Sequence, residues 1–393
     1  MEFLGALLTH SLGMNSTSSM GVGDDEVMRA MRAEKVQFPV YHVHRASILA
    51  GVSDPTLTVI VPLLAYWVVS ILFTILDLLA LPWIEKYRLH EPAEVSARNR
   101  VTPANVIKAV IFQQLIQTAL GIFYLDSSPS DILQRDYLAE IHAYAPPVSQ
   151  LINILLPPQH ARWVLLNYGQ ALTQWAYWWG LPILQFLWAS FVLDTWQYFW
   201  HRAFHINQFL YKHIHSVHHR LYCPYSFGAL YNHPLEGFIL DTLGAVIAHW
   251  ASAMSVRQAT LLFGISTAKT VDDHCGLALP FDPLQHLFGN NAAYHDIHHQ
   301  QFGIKKNFSQ PYFVHWDVLM GTRMTSAEAD ARRAKISGAQ RPATATAAAA
   351  AAGMPSPSLS SSSSVPASLS LLDSSEDSDM DAKASPSLKL KTS

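Results

Sequence analysis

The chain has 393 residues, of which 50% are hydrophobic and only 14% are charged, and it contains 11 tryptophans. This composition is typical of a membrane protein with aromatic anchors at the membrane surface, and it argues against a pair of soluble domains. The formal net charge of -3 gives no support for nucleic-acid binding, and the two cysteines exclude a disulfide framework.

Two apolar runs in the first third of the chain predict membrane helices. Residues 1–50 lack a convincing signal peptide, and we interpret them as a cytosolic or interfacial arm. The run Leu57–Trp83 exceeds the roughly 20 residues that a helix needs to cross a bilayer. The run Val106–Leu125 is interrupted by one lysine and three glutamines, which predicts a helix that packs against other helices.

A third apolar run, Leu172–Trp200, leads directly into a histidine-rich segment. Residues 126–160, which precede it, are polar and contain several prolines, so we expect a loop there. Gly180 and Pro182 predict a kink or a turn, so the run forms either one long helix or a tight hairpin.

The segment Trp200–His299 contains 13 of the chain's 20 histidines. Most of them fall into three clusters, one with two histidines four residues apart and two with histidines at i, i+3 and i+4. Because such residues share a face of a helix, each cluster can point its imidazoles at one spot. Histidine is the commonest metal ligand. The clustered candidates are His201, His205, His215, His218, His219, His295, His298 and His299. His233 and His274 are single candidates that could complete the set of metal ligands.

Convergence of these histidines constrains the topology. A fourth apolar interval, Gly237–Thr267, separates the two single candidates, so it must leave and return on one side of the membrane. We expect two short helices or a re-entrant hairpin, with the turn near Ser252–Ser255. Basic residues beside the histidines place this side in the cytosol by the positive-inside rule. They are Arg202, Lys212, Arg220, Lys305 and Lys306.

Ten candidate ligands are too many for one metal ion and fit two. A histidine-rich zinc-binding membrane protein without catalysis is the alternative. Zinc usually takes four ligands and often includes cysteine, whereas Cys223 and Cys275 form no CxxC pair. We therefore favour a catalytic centre with two metal ions.

The histidine array and the sequences between its clusters resemble a known family. The pattern HxxxH, HxxHH, HxxHH is similar to that of the membrane fatty acid hydroxylase superfamily, which includes sterol desaturases, sterol methyl oxidases and sphingolipid hydroxylases. The sequences HSVHHRLYCPYSFGALYNHPLEGFILDTLG, STAKTVDDHCG and NNAAYHDIHHQQFGIKKNFSQPYFVHWDVLMGT resemble those of the sphingoid-base C4-hydroxylases. The resemblance covers about Phe191–Thr322.

The resemblance implies an all-α, polytopic integral membrane bundle in the endoplasmic reticulum, with a cytosol-facing dimetal site. It implies O2-dependent hydroxylation of sphinganine or dihydroceramide at C4, at a centre of two iron ions. Iron suits imidazole ligands, whereas zinc has no redox chemistry. Electrons from NAD(P)H would come through a separate cytochrome b5, because the chain lacks the HPGG motif of a fused haem domain. A sterol C4-methyl oxidase or C5-desaturase is the alternative within the superfamily.

Carboxylates near the histidines are candidates for orienting them. A ligating histidine normally donates its second N–H to a carboxylate, a carbonyl or water. For each acid, a helix cap or a surface charge is the alternative. The expected catalytic positions are Glu236, Asp272 and Asp273, with Asp296 and Asp317 as further candidates.

We expect four parts in the chain. The arm 1–50 is followed by membrane helices over 51–170 and by a catalytic domain over 171–323. Residues 324–393 contain an alanine run, a serine run and an acidic stretch, which predicts a disordered tail. Its last five residues, KLKTS, resemble a dilysine retrieval signal of endoplasmic reticulum membrane proteins, carried by Lys389 and Lys391.

Overall fold

The structure is a computed structural model that describes residues 22–124 and 131–339. The described residues up to Ile336 form one compact unit. In the described part of the chain the secondary structure is helical, with two isolated β-bridges and no strand, which confirms the predicted all-α fold. The α-helices are α1 (Val22–Met31), α2 (Asp54–Leu79), α3 (Pro82–Glu85), α4 (Pro92–Arg98), α5 (Pro103–Tyr124), α6 (Tyr137–His142), α7 (Ala145–Leu155), α8 (Pro158–Trp175), α9 (Leu181–Ile206), α10 (Gln208–His213), α11 (Pro234–Gly237), α12 (Gly244–Ser252), α13 (Val256–Asp273), α14 (Pro283–Leu287), α15 (Ala292–His299), α16 (His315–Leu319) and α17 (Ser326–Ala339). There are also two π-helical turns, Ala176–Gly180 and Phe238–Leu243, and four 3-10 helices, Asp131–Leu133, His215–Arg220, Ser226–Leu230 and Gln301–Gly303.

Among the residues that the structure describes, three helical stretches are long and apolar enough to cross a membrane. They are α2, α5 and the 49-residue stretch Pro158–Ile206, in which α8 continues into α9 through a π-helical turn. On α2, Leu64, Val68 and Leu72 are exposed at intervals of four residues, which is expected of a helix with a face toward lipid. The predicted membrane bundle is therefore confirmed in its main helices.

The third stretch is one continuous helix rather than a hairpin. The π-helical turn Ala176–Gly180 lies at the predicted kink, and Pro182 stands in the first turn of α9. The loop expected over 126–160 is wrong in part, because α6 and α7 occupy much of it. Pro146 and Pro147 lie in the first turn of α7, where a missing N–H costs no helical hydrogen bond, so here prolines mark the start of a helix.

The apolar interval that precedes His274 forms the expected hairpin. The π-helical turn Phe238–Leu243 leads into α12, and the chain reverses at Ala253, whose φ of 50° lies in the left-handed region. Helix α13 then begins with a capping box formed by Ser255 and Gln258. The turn thus lies where the sequence predicts it.

Helix α13 packs along α2 in the same direction and thereby fixes where His274 stands. Near the start of both helices, Arg257 Nε donates to Asp54 Oδ2 over 2.6 Å. Further along, a Cβ added to Gly264 would lie only 2.8 Å from Val61 Cγ1. Glycine at this position therefore allows the two helices to approach closely.

The segment after residue 324, predicted to be disordered, begins with a helix. Met324 and Ala329 pack against Ile297 of α15, so the first part of this segment covers the histidine-bearing helix. The rest of the predicted tail, including Lys389 and Lys391, and residues 1–21 of the predicted arm lie outside the described residues.

Candidate metal centre

Four separate segments bring nine histidines together inside the protein. The last turns of α9 carry two, the 3-10 helix His215–Arg220 carries three, the residue after α13 carries one, and α15 carries three. All nine side chains are at most 7% exposed. The start of α15 is fixed by Asn291, whose Oδ1 accepts a hydrogen bond from the Tyr294 amide over 3.0 Å.

Five of these residues form what we call the five-histidine group, whose candidate ligand nitrogens all lie within 4.8 Å of one another. The Nε2 atom of His205 lies 2.7 Å from that of His215 and 3.2 Å from that of His219. It lies 3.3 Å from the Nε2 atom of His201. The ring of His298 completes the group, with its centroid 4.5 Å from that of His201.

The remaining four residues form the four-histidine group, again with nitrogens within 4.8 Å of one another. His295 Nε2 lies 3.0 Å from His274 Nε2 and 3.1 Å from His299 Nε2. His218 Nε2 lies 3.5 Å from His274 Nε2. The two groups adjoin, because the rings of His218 and His219, one from each group, have centroids 5.5 Å apart.

Histidines of one sequence cluster are divided between the two groups, which we did not predict. In the 3-10 helix, the histidines at i and i+4 enter the five-histidine group, and His218 at i+3 enters the other. In α15 the arrangement is reversed, and His298 at i+3 enters the five-histidine group. Positions i+3 and i+4 are about 100° apart around an α-helix of 3.6 residues per turn, so one cluster can serve two neighbouring sites.

Backbone carbonyl groups orient five of the rings. In each case Nδ1 lies 2.7–3.2 Å from a carbonyl oxygen. Because a carbonyl oxygen only accepts, Nδ1 carries the proton and Nε2 keeps its lone pair, which faces the other histidines. The pairs are His201 with Phe308, His218 with Tyr231, His274 with Thr270, His298 with Lys306 and His299 with Leu221.

A carboxylate orients a sixth ring. Glu236 Oε1 lies 2.7 Å from His215 Nδ1, and both side chains are only 1% exposed. Of the three acids that we expected at catalytic positions, Glu236 is the one that the structure joins to a histidine of either group.

The inward-facing nitrogens suit a cation between them. His218 and His274 both face a carbonyl oxygen with Nδ1, so their Nε2 lone pairs lie 3.5 Å apart and repel each other when no positive charge intervenes. Protonation does not provide that charge, because burial lowers the pKa of His215 to about 3 and that of His218 to about 4. His298 Nε2 is buried and has no hydrogen-bond partner among the described residues. Neutral imidazoles in two such groups fit two transition-metal ions.

Three of the residues singled out in the sequence lie apart from these groups. His233 caps α11, where its Nδ1 accepts a hydrogen bond from the Leu235 amide over 3.2 Å. Asp272 and Asp273 face the fully buried Lys269 instead, whose Nζ bonds Asp273 Oδ1 and lies 3.7 Å from Asp272 Oδ2. A buried ammonium requires such partners, and neither carboxylate bonds a histidine in the described part of the chain.

Asp317 acts one step away from the centre. Its carboxylate accepts hydrogen bonds from the amides of Phe308 and Ser309 over 3.0 and 2.8 Å. The carbonyl of Phe308 is the group that His201 faces. Asp317 therefore holds in place the carbonyl group that orients His201, and it does not bond a histidine of either group itself.

His90 is a buried histidine near the centre that the sequence pattern did not single out. Its Nε2 faces Asp296 Oδ1 at 2.6 Å, and its Nδ1 faces Glu94 Oε2 at 3.1 Å. Glu94 at i+4 is a local signal for this contact, but Asp296 lies far along the chain. This contact joins α15 to the chain segment before α4. Asp296 therefore bonds His90 and not one of the nine grouped histidines.

Sequence comparisons with known proteins identify the family of the chain. Residues 186–322 match the family model "Fatty acid hydroxylase". A sphingolipid C4-hydroxylase of Schizosaccharomyces pombe is 45% identical over 278 residues, which are 68% of this chain and 88% of that protein. The chain belongs to the fatty acid hydroxylase family. The resemblance predicted from the histidine array is thus confirmed.

Other members of the hydroxylase family show the same extent of similarity. A sphingolipid C4-hydroxylase of Saccharomyces cerevisiae is 43% identical over 286 residues, 72% of this chain and 76% of that protein. Sphinganine C4-monooxygenase 2 of Arabidopsis thaliana is 44% identical over 271 residues, 69% of this chain and 88% of that protein. No solved structure matches the chain.

Proposed function

We propose that this chain is a sphinganine C4-hydroxylase, an O2-dependent oxidoreductase that acts on the long-chain base or on dihydroceramide. The observation that carries the proposal is the pair of adjoining histidine groups next to a largely apolar cavity between the helices. Similarity to proteins named as C4-hydroxylases, over most of their own lengths, supports the choice of reaction.

The five-histidine group and the four-histidine group would each hold one iron ion. Bound iron supplies the redox chemistry with O2 that cleavage of an unactivated C–H bond requires, which zinc cannot supply. In the overall reaction one oxygen atom enters the C4–H bond as a hydroxyl, and the other leaves as water with two protons and two electrons. The protein contributes the oriented Nε2 lone pairs, which the carbonyl acceptors and Glu236 hold in place.

The cavity offers a lipid chain a place beside the histidines. Helices α2, α5, α9, α12 and α13 line it, with apolar side chains that include Leu63, Leu193 and Phe263. The lining also includes Thr270, whose carbonyl oxygen faces His274, so the cavity adjoins the four-histidine group. An alkyl chain in this cavity would reach the centre from among the membrane helices and exclude water from it.

For the electron supply we propose a cytochrome b5-type donor that passes electrons from NAD(P)H. We place the histidine side in the cytosol and the protein in the endoplasmic reticulum membrane. Lys212, Arg220 and Lys305 are exposed next to the histidine segments. This basic surface supports both the cytosolic orientation and the docking of an acidic partner.

Lipid analysis of cells that lack C4-hydroxylation tests the proposal. We expect 4-hydroxylated long-chain bases to appear when the chain is supplied, and not to appear with His218→Ala at the same protein level. An oxidised sterol as the product would instead support the sterol oxidase or desaturase alternative. Zinc in place of iron in the purified protein, without O2 consumption, would support the non-catalytic alternative.

A further inference from the structure

The cavity contains one carboxylate that the proposed function does not use. Asp241 stands in the π-helical turn Phe238–Leu243, and its side chain lines the cavity. A π-helical turn inside a helix is rare and often lies at a functional site. Much of the surrounding lining is apolar, so a negative charge at this position needs a compensating group.

No cationic side chain in the described part of the chain compensates a charge on Asp241. Asp241 forms no ion pair within 4.0 Å with any described residue. Its partners are neutral amides, because Gln113 Nε2 donates to Asp241 Oδ2 over 3.4 Å and the side chain of Gln117 also hydrogen-bonds the carboxyl. The charged group that acts on it most is another acid, Glu236. Without a partner such an acid is held as a neutral carboxyl, whereas a cationic ligand beside it stabilises the carboxylate.

Neighbouring polar atoms are also left without partners. Gln114 lines the cavity, and its Oε1 accepts a hydrogen bond from Trp67 Nε1 over 3.0 Å. Its Nε2 is buried and has no partner among the described residues, and the same is true of Gln113 Oε1 and Thr242 Oγ1. Buried polar atoms are rarely unpaired in native proteins, so this patch is suited to a ligand with several polar groups.

The patch lies close to the five-histidine group. Gln197 lines the cavity, and its Nε2 donates to the carbonyl oxygen of Leu240, the residue before Asp241, over 3.4 Å. Gln197 stands four residues before His201 on α9, so their Cβ atoms are about 5–6 Å apart on one helical face. In sphinganine the amine is on C2, two carbons from C4. An amine held at Asp241 therefore leaves C4 near the histidines.

We propose that Asp241 binds the protonated amine of a free sphingoid base, and that the chain acts on the free base in preference to its N-acyl derivative. This inference rests on the proposed function. In dihydroceramide the amine is an uncharged amide, which offers no cation to Asp241. Gln114 and Thr242, which line the cavity with unpaired polar atoms, then hydrogen-bond the hydroxyl groups on C1 and C3.

The experiment compares three substrates with the full chain in native membranes. They are sphinganine, its triol analogue in which a hydroxyl replaces the amine, and N-acetylsphinganine. We expect Asp241→Asn to raise the KM for sphinganine by about tenfold or more, the usual effect of losing a charged hydrogen bond. Turnover of the triol analogue and iron content should stay unchanged. Asp241→Glu should retain part of the affinity, and Glu91→Gln, an exposed acid outside the cavity lining, is the matched control.

The outcomes separate this inference from the proposed function. An equal loss on sphinganine and the triol analogue, no loss on sphinganine, or loss of iron from Asp241→Asn would overturn the inference. Wild-type protein that prefers N-acetylsphinganine would overturn it as well, but would leave the proposed C4-hydroxylase function intact. Wild-type protein that hydroxylates neither sphinganine nor N-acetylsphinganine at C4 would refute the proposed function itself.

Discussion

Glu236→Gln should weaken metal binding without unfolding the protein. The carboxyl group and His215 are both 1% exposed and are joined at 2.7 Å, so the change replaces the acid in a hydrogen bond that is closed to water. Glutamine keeps the shape and still offers an acceptor oxygen. Loss of such an outer partner lowers metal affinity by about 10–100-fold, or about 1.4–2.8 kcal/mol.

The assay for this prediction is retained iron per protein during titration with a competing chelator, followed by turnover of the same samples. Glu94→Gln is the control, because Glu94 Oε2 lies 3.1 Å from a nitrogen of His90, which belongs to neither group. We expect the chelator midpoint to fall for Glu236→Gln and to stay at the wild-type value for Glu94→Gln. Identical midpoints for Glu236→Gln and wild type would refute the idea that this carboxylate supports a metal ligand.

Three further predictions concern a grouped histidine, the topology of the chain and a buried ion pair. His298→Ala, at a buried histidine, should lose iron and activity while the protein still accumulates in membranes. His286→Ala, at an exposed histidine, is the control and should retain both. Substantial turnover by His298→Ala would contradict a shared centre. Single cysteines placed near Lys212 and near Lys306 should react with an impermeant reagent from the same side, and labelling from opposite sides would exclude one centre. Lys269→Met should lower the free energy of unfolding by about 3–5 kcal/mol, because it leaves two buried carboxylates without a cation. A melting temperature equal to that of wild type would show that these carboxylates are not charged.

Hydrophobic length and histidine spacing predicted the membrane helices and much of the composition of the site. The runs Leu57–Trp83 and Val106–Leu125 are found as α2 and α5 within a few residues, because the bilayer thickness sets how long an apolar helix must be. His201 and His205 share a face of α9, as their spacing requires, and they enter the same group. Such features depend on local periodicity alone.

Features that depend on packing between distant segments could not be predicted in this way. Spacing does not show that His218 and His298 leave their own clusters, because it describes a helical face and not the element opposite that face. The choice of His274 over His233 depends on how α13 packs along α2. The carbonyl oxygens that orient five of the rings leave no sequence signal, since every residue has one.

The sharing of segments between the two groups determines when the centre can form during synthesis of the chain. The 3-10 helix and α15 each supply histidines to both groups, so no single element contains a complete set. A ribosome must pass His298 before the five-histidine group is complete and His299 before the four-histidine group is complete. By then the three long apolar helices of the described residues have been translated. With iron held as proposed, loading with metal would therefore be a late step, and it would tie α15 back to the end of α9. Cells short of iron should then accumulate a pool of inserted protein that later iron activates without new synthesis.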